Sequence, residues 1–180
     1  DHSQTEGAPA PAVFVRLAGG DPGGAYARLR AVAKTLDFSV EETRLSAGSN
    51  GDCSHARRLI RVEERNAPAQ QVKTLAHELA HALLHEQFVS RALAELEAES
   101  AAYVICAALG IDSGDYSFGY LATWAGGGAD AVAAIKSSCA RIQRAARAVL
   151  DALAWIEEVD GLEGGPTASP AVRLTQLALR

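Results

Sequence analysis

Histidines at 77 and 81 with a glutamate at 78 form an H-E-x-x-H spacing inside the stretch from Lys73 to His85. On an α-helix, residues four apart project about 40° apart around the axis and one turn apart along it. Both imidazoles can therefore face one metal ion, and Zn²⁺ favours nitrogen ligands of this kind. Glu78 adjoins the first histidine, too near along the chain to be the third ligand. From there it can take the proton of a zinc-bound water, as a general base must. Val72, Leu75, Ala76, Leu79, Ala80, Leu83 and Leu84 surround the motif, so the segment reads as a helix buried on most sides. Imidazoles in such a core cost free energy unless they are liganded or hydrogen-bonded. A zinc site is the expectation, and a buried structural His pair is the alternative.

A catalytic zinc has three protein ligands and one open position. The following apolar stretch holds Glu95, Glu97 and Glu99. Glu95 and Glu99 are four apart and share a helix face, while Glu97 points away from both. Glu95 is the expected ligand, with Glu99 and Glu97 as alternatives. Glu99, one turn on, is expected to accept the free ring N–H of a ligand histidine and so fix its orientation. Glu97 reads as a surface residue. His85, one turn after His81, is placed to sit at the rim of the site, but it is expected to cap the helix or lie on the surface and not to be a ligand; His2 and His55 are expected to be solvated. Tyr116 and Tyr120 are candidates to stabilise the transition state by donating to an oxyanion, although each also reads as a packing residue. Cys106, in an apolar stretch, reads as buried and inert.

These residues need elements to position them. Residues 25–36 have helical periodicity, with Asp21 or a neighbour available to start the helix. Residues 38–45 read as a strand, 47–52 as a turn or loop, and 56–63 as a second strand with one charged face. Asn66 is a candidate cap and Pro68 a first-turn residue for the motif helix, which is expected to run to about Glu86. Residues 91–110 form a second buried helix that ends at Gly110. A turn at 112–115 and a short helix at 116–124 follow, broken by the glycines at 126–128. Residues 130–159 read as a long helix with Ile135, Cys139, Ile142, Ala146, Val149, Leu153 and Ile156 on one stripe and Arg141, Arg144 and Arg147 largely off it. Residues 13–17 read as a short extended piece. The strand near Arg58 to Val62 is a candidate to take a peptide substrate as an added strand.

The 180 residues suit a single domain of 13–160, with a linker at 1–12 and a flexible tail at 161–180. A hydrophobic share of 48% supports a sizeable core, and a net charge of −5 argues against a nucleic-acid surface. The three cysteines lie far apart, which points to reduced thiols and the cytoplasm. No apolar run is long enough to span a bilayer, so no membrane role is expected. With no methionine, the chain reads as part of something longer.

The stretch from Thr74 to His85, with Glu95 to Tyr103 and Tyr116 to Trp124, resembles the C-terminal zincin domain of ArdC-like antirestriction proteins. It is also similar to the ImmA/IrrE group of metallopeptidases. The resemblance covers about residues 25–160 and is most specific from 72 to 124. It implies an α+β, zincin-like (gluzincin) fold: a small antiparallel or mixed sheet packed on the H-E-x-x-H helix and further helices, here with a long C-terminal helix. It further implies Zn²⁺ held by His77, His81 and a glutamate of the next helix, with Glu78 catalytic. In related gluzincins the third ligand opens an E-x-x-[AS]-[DE] pattern, which falls here on Glu95 with Glu99 behind it. Residues 1–7 look like the segment that joins a single-stranded-DNA-binding domain to the zincin. A protein or peptide substrate is therefore expected, with DNA contacted only through that preceding N-terminal domain. The expected function is zinc-dependent peptide-bond hydrolysis. A non-catalytic zinc module that aids DNA protection or blocks a restriction enzyme is the alternative.

Overall fold

The computed structural model describes residues 16–87, 89–117 and 128–160. These form α1 (Ala25–Thr35), β1 (Ser39–Thr43), β2 (Gly51–Ser54), β3 (Leu59–Glu63), α2 (Pro68–Leu84), α3 (Arg91–Ala108) and α4 (Gly128–Asp160), in that order. A short 3-10 turn at Pro22–Gly24 leads into α1. The fold is α+β with a mixed three-stranded sheet. β3 is central, parallel to β1 and antiparallel to β2. No helix among the described residues is long and apolar enough to cross a membrane. The expected linker at 1–12, most of the extended piece at 13–17, the part of the short helix beyond 117 (with Tyr120) and the tail after 160 lie outside the described residues.

The sheet differs from the sequence expectation in three ways. Gly51–Ser54 is a strand where a loop was expected through Asp52. Gly-Asp-Cys-Ser has no apolar alternation, so its own residues do not announce a strand. It exists because β3 is buried at Leu59, Ile60, Val62 and Glu63, and a buried strand needs hydrogen-bonding partners on both sides. Next, the strand expected from Ala56 starts at Leu59. Arg58 has φ +48°, a left-handed conformation that does not continue a strand. Its guanidinium instead donates to the Leu36 carbonyl and lies 4.1 Å from the centre of the Phe38 ring. Finally, β3 is paired on both edges, so it cannot accept an added peptide strand; the sheet edges are β1 and β2.

The helices follow the apolar periodicity. Asp21 accepts from the Tyr26 N–H at the start of α1, and Leu29, Val32 and Ala33 face the core. Pro68 opens α2, but Asn66 does not cap it. The Asn66 amide donates to Asn50 Oδ1, and Ala67 stands at the cap position without a side-chain bond. The helix ends at Leu84, with the His85 N–H still bonded to the His81 carbonyl. Ser90 caps α3 by accepting from the Leu93 N–H, and Gly110, at φ +77°, lets the chain leave it. The core joins Leu29, Ile60, Leu75, Leu79, Ile105 and Val149, so it draws on the sheet and all four helices. A second cluster of Ala80, Leu96, Ala98, Ala101, Ile142 and Ala145 lines the seam of α2, α3 and α4. Alanine there lets the helix axes approach closely.

The α4 stripe holds at Ile142, Ala146, Val149 and Leu153, which are buried, but Cys139 is exposed. Cys106 is buried, and burial pushes its thiol up to about 12. Cys53 is half-buried and is pushed to about 12 by burial and by the Glu78 carboxylate. Because the thiolate is the nucleophile, a maleimide reagent at neutral pH is expected to label Cys139 rapidly in the folded protein. Cys53 and Cys106 should react only on unfolding, and peptide mapping of the label checks this.

Candidate metal centre

Two helices build the site. α2 carries His77, Glu78 and His81 on its inner face, and α3 brings Glu95 across from them. His77 Nε2 lies 3.0 Å from His81 Nε2 and 3.4 Å from Glu95 Oε2. The third side of the triangle, His81 Nε2 to Glu95 Oε2, is 3.9 Å. Donor atoms bound tetrahedrally at zinc's usual bond lengths sit about 3.4 Å apart. The three atoms therefore fit one small metal ion, and two imidazoles with one carboxylate are a borderline-soft donor set suited to zinc.

The outer nitrogens of the histidines are engaged. His77 Nδ1 lies 3.1 Å from Glu99 Oε2, within hydrogen-bonding distance. Glu99 is completely buried and also accepts from Lys73 Nζ at 2.5 Å and from Ser117 Oγ at 2.6 Å. His81 Nδ1 lies 2.9 Å from His85 Nδ1, and His85 Nε2 lies 3.0 Å from Glu97 Oε2. Glu97 is thus no surface residue. It is fully buried and also bonded by Arg141. His85 stands at the C-cap of α2, as expected, but its side chain is not on the surface, since only 7% of it is exposed. His55, expected to be solvated, is partly buried against Phe38, with Nε2 3.3 Å from the Ala82 carbonyl.

Glu78 is buried beside His77. Burial raises its carboxyl to about 7, opposed by His77 and reinforced by the carboxylates of Glu95 and Asp52. Burial disfavours the charged form of His77, but the hydrogen-bonded carboxylates of Glu95 and Glu99 outweigh it and raise His77 to about 9. His81 goes the other way: burial and then the positive charge of His77 lower it to about 3. Burial works against the Glu99 carboxylate, but the His77 hydrogen bond and the Lys73 charge hold it down at about 2. His77, Glu78, His81 and Glu95 open onto a cavity of about 680 Å³ walled on the sheet side by β2. Tyr116 lines it; the Tyr116 hydroxyl accepts from Asn50 Nδ2, and Lys73 Nζ sits 3.9 Å from the ring centre.

Residues 30–109 match the family model of Peptidase M78, described as the IrrE N-terminal-like domain. This part of the chain is similar to the IrrE N-terminal-like domain. An uncharacterized protein of Bacillus anthracis is 35% identical over 75 residues, 39% of this chain and 13% of that protein. The chain thus matches only a small part of the length of that relative. No solved structure matches.

The IrrE-like match encloses His77, Glu78, His81 and all three glutamates, and it stops before α4. What the sequence reading missed within the IrrE-like domain is Lys73. A lysine four residues before a histidine shares its helix face, and that spacing was the available signal. Lys73 and Glu99 are both buried, and breaking a buried pair strands the remaining charge. Lys73→Met is therefore expected to destabilise the metal-free protein by about 3–5 kcal/mol in urea unfolding. A loss below about 1 kcal/mol, the range of exposed pairs, would contradict this account of the pair.

Proposed function

We propose that the IrrE-like domain is a zinc-dependent metalloendopeptidase of zincin-like, gluzincin type. His77, His81 and Glu95 are its ligands and Glu78 its general base. The observation that carries the reading is the convergence of His77 Nε2, His81 Nε2 and Glu95 Oε2 on one point beside a buried Glu78. Zn²⁺ held by His77, His81 and Glu95 would supply Lewis acidity for the scissile carbonyl and for the attacking water. Glu78 takes that water's proton on its carboxylate and returns it to the leaving amine. Tyr116, on the cavity wall, is the residue we assign to donate to the developing oxyanion.

The substrate is an extended peptide that pairs with the outer edge of β2, the sheet edge at the cavity. Such pairing holds the backbone while reading little of its sequence. Gly51 fits this role: a Cβ there would meet Thr74 Cγ2 at 2.6 Å and Glu78 Oε1 at 2.8 Å. Only glycine lets the strand lie so close to the base. The cytoplasm is the compartment we assign, because the cysteines are free thiols. Membership of an ArdC-like antirestriction protein rests on the likeness of residues 72–124 to that group.

Zinc-loaded wild type is expected to cleave members of a quenched-fluorescence peptide library. Glu78→Gln should keep its zinc and lose at least about 10²-fold in cleavage rate. Cleavage by Glu78→Gln at the wild-type rate would remove Glu78 from the chemistry. Zinc binding without cleavage in the wild type would favour a non-catalytic binding module.

A further inference from the structure

The buried carboxylate of Glu97 has no part in the mechanism above, yet its bonds lead to a metal ligand. A carboxylate only accepts hydrogen bonds. His85 Nε2, 3.0 Å from Glu97 Oε2, must therefore be the protonated nitrogen. Neutral His85 then has an acceptor at Nδ1, which faces His81 Nδ1 at 2.9 Å. His81 must donate there, and its own lone pair is left at Nε2, the atom aimed at Glu95 and His77. Each direction in this chain is forced by the one before it. The start of the chain is held from α4. Arg141 Nε bonds both oxygens of Glu97 at 2.9 and 3.1 Å, and its terminal nitrogen donates to the Leu84 carbonyl at 3.0 Å.

We propose that Glu97 and Arg141 are positioning residues that hold the metal ligand His81 in its binding tautomer and orientation, acting through His85. The inference rests on the metal site assigned above and goes beyond it, because Arg141 lies outside the IrrE-like match. Burial favours this role over packing alone. Glu97 is 0% exposed, and apolar residues of similar size would join α3 to α4 without the desolvation cost. The Leu84 carbonyl closes the C-terminal end of α2, where a cation is stabilised by the helix dipole. The guanidinium thus holds both the helix end that carries His81 and His85 and the carboxylate that orients them. His77 has its counterpart in Glu99, so each ligand histidine is oriented by a buried glutamate of α3, one directly and one through a second imidazole.

Chelator competition gives the zinc dissociation constant, and the visible spectrum of the Co²⁺-loaded protein reads the ligand geometry. Arg141→Ala would strand the buried Glu97 charge and destabilise the fold, so the test uses the double variant Glu97→Leu/Arg141→Leu, which removes both charges together. His85→Phe interrupts the next step without touching the ion pair, and Arg147→Ala, an exposed arginine of α4, is the control. Wild type should bind zinc. The double variant and His85→Phe should each bind it about 10–100-fold more weakly, with an altered Co²⁺ spectrum, while the control is unchanged. Wild-type affinity and spectrum in the double variant would overturn the role of Glu97 and Arg141, whatever His85→Phe does, and would reduce the pair to a strut between helices. Failure of the wild type itself to bind zinc would overturn the metal reading and this inference together.

Discussion

Three imidazoles and three carboxylates lie between α2 and α3, and each must find a partner there. Glu97 and Glu99 are completely buried, where an unpaired carboxylate would be driven to protonate. Glu99 is satisfied by Lys73, His77 and Ser117, and Glu97 by His85 and Arg141. These pairings use the outer nitrogen of His77 directly and that of His81 through His85. The inner nitrogens are what remains, and they meet Glu95. The pairing requirement also fixes the helices. Lys73 and His77 tie α2 to α3, and Arg141 ties both to α4. The alanines between them allow the short approach that side chains of this reach require.

The sheet contributes to the site from its weakest-looking strand. β2 has four half-buried residues and no apolar run, yet it is the edge that walls the cavity. In its register Gly51 lies opposite Val62 and Cys53 opposite Ile60, so both share the face of β3 that packs on the core. At Gly51 the strand backbone approaches α2 closely, with Thr74 and Glu78 in the space a side chain would need. The placement of Glu78 and of the edge strand is therefore one constraint.

How much of this was legible follows from the range of each interaction. The histidine pair, Glu78 and the Glu95–Glu99 spacing are repeats within single helices, and four-residue periodicity carries them directly. α1, α2, α3 and the long α4 were legible for the same reason, with ends marked by Pro68 and Gly110. β2 was not, because its strand character comes from β3 and not from its own residues. The roles of Glu97, His85 and Lys73 were hidden for a related reason. A glutamate two places from Glu95 reads as pointing away, and it does point away, toward a helix that starts 31 positions later in the chain. Arg141 was read as lying off the apolar stripe of α4, and so it does, but that position faces Glu97 and not solvent alone.

The central claim is that one ion sits among His77 Nε2, His81 Nε2 and Glu95 Oε2. The direct measurement is an anomalous difference map at the zinc edge from crystals of the zinc-loaded protein. The account predicts one strong peak, with all three atoms at about 2.0–2.2 Å and the Glu99 and Glu97 carboxylates not bonded to it. A peak that excludes Glu95, or one bonded to Glu97 or Glu99, would contradict the account, because those two carboxylates would then no longer orient the histidines.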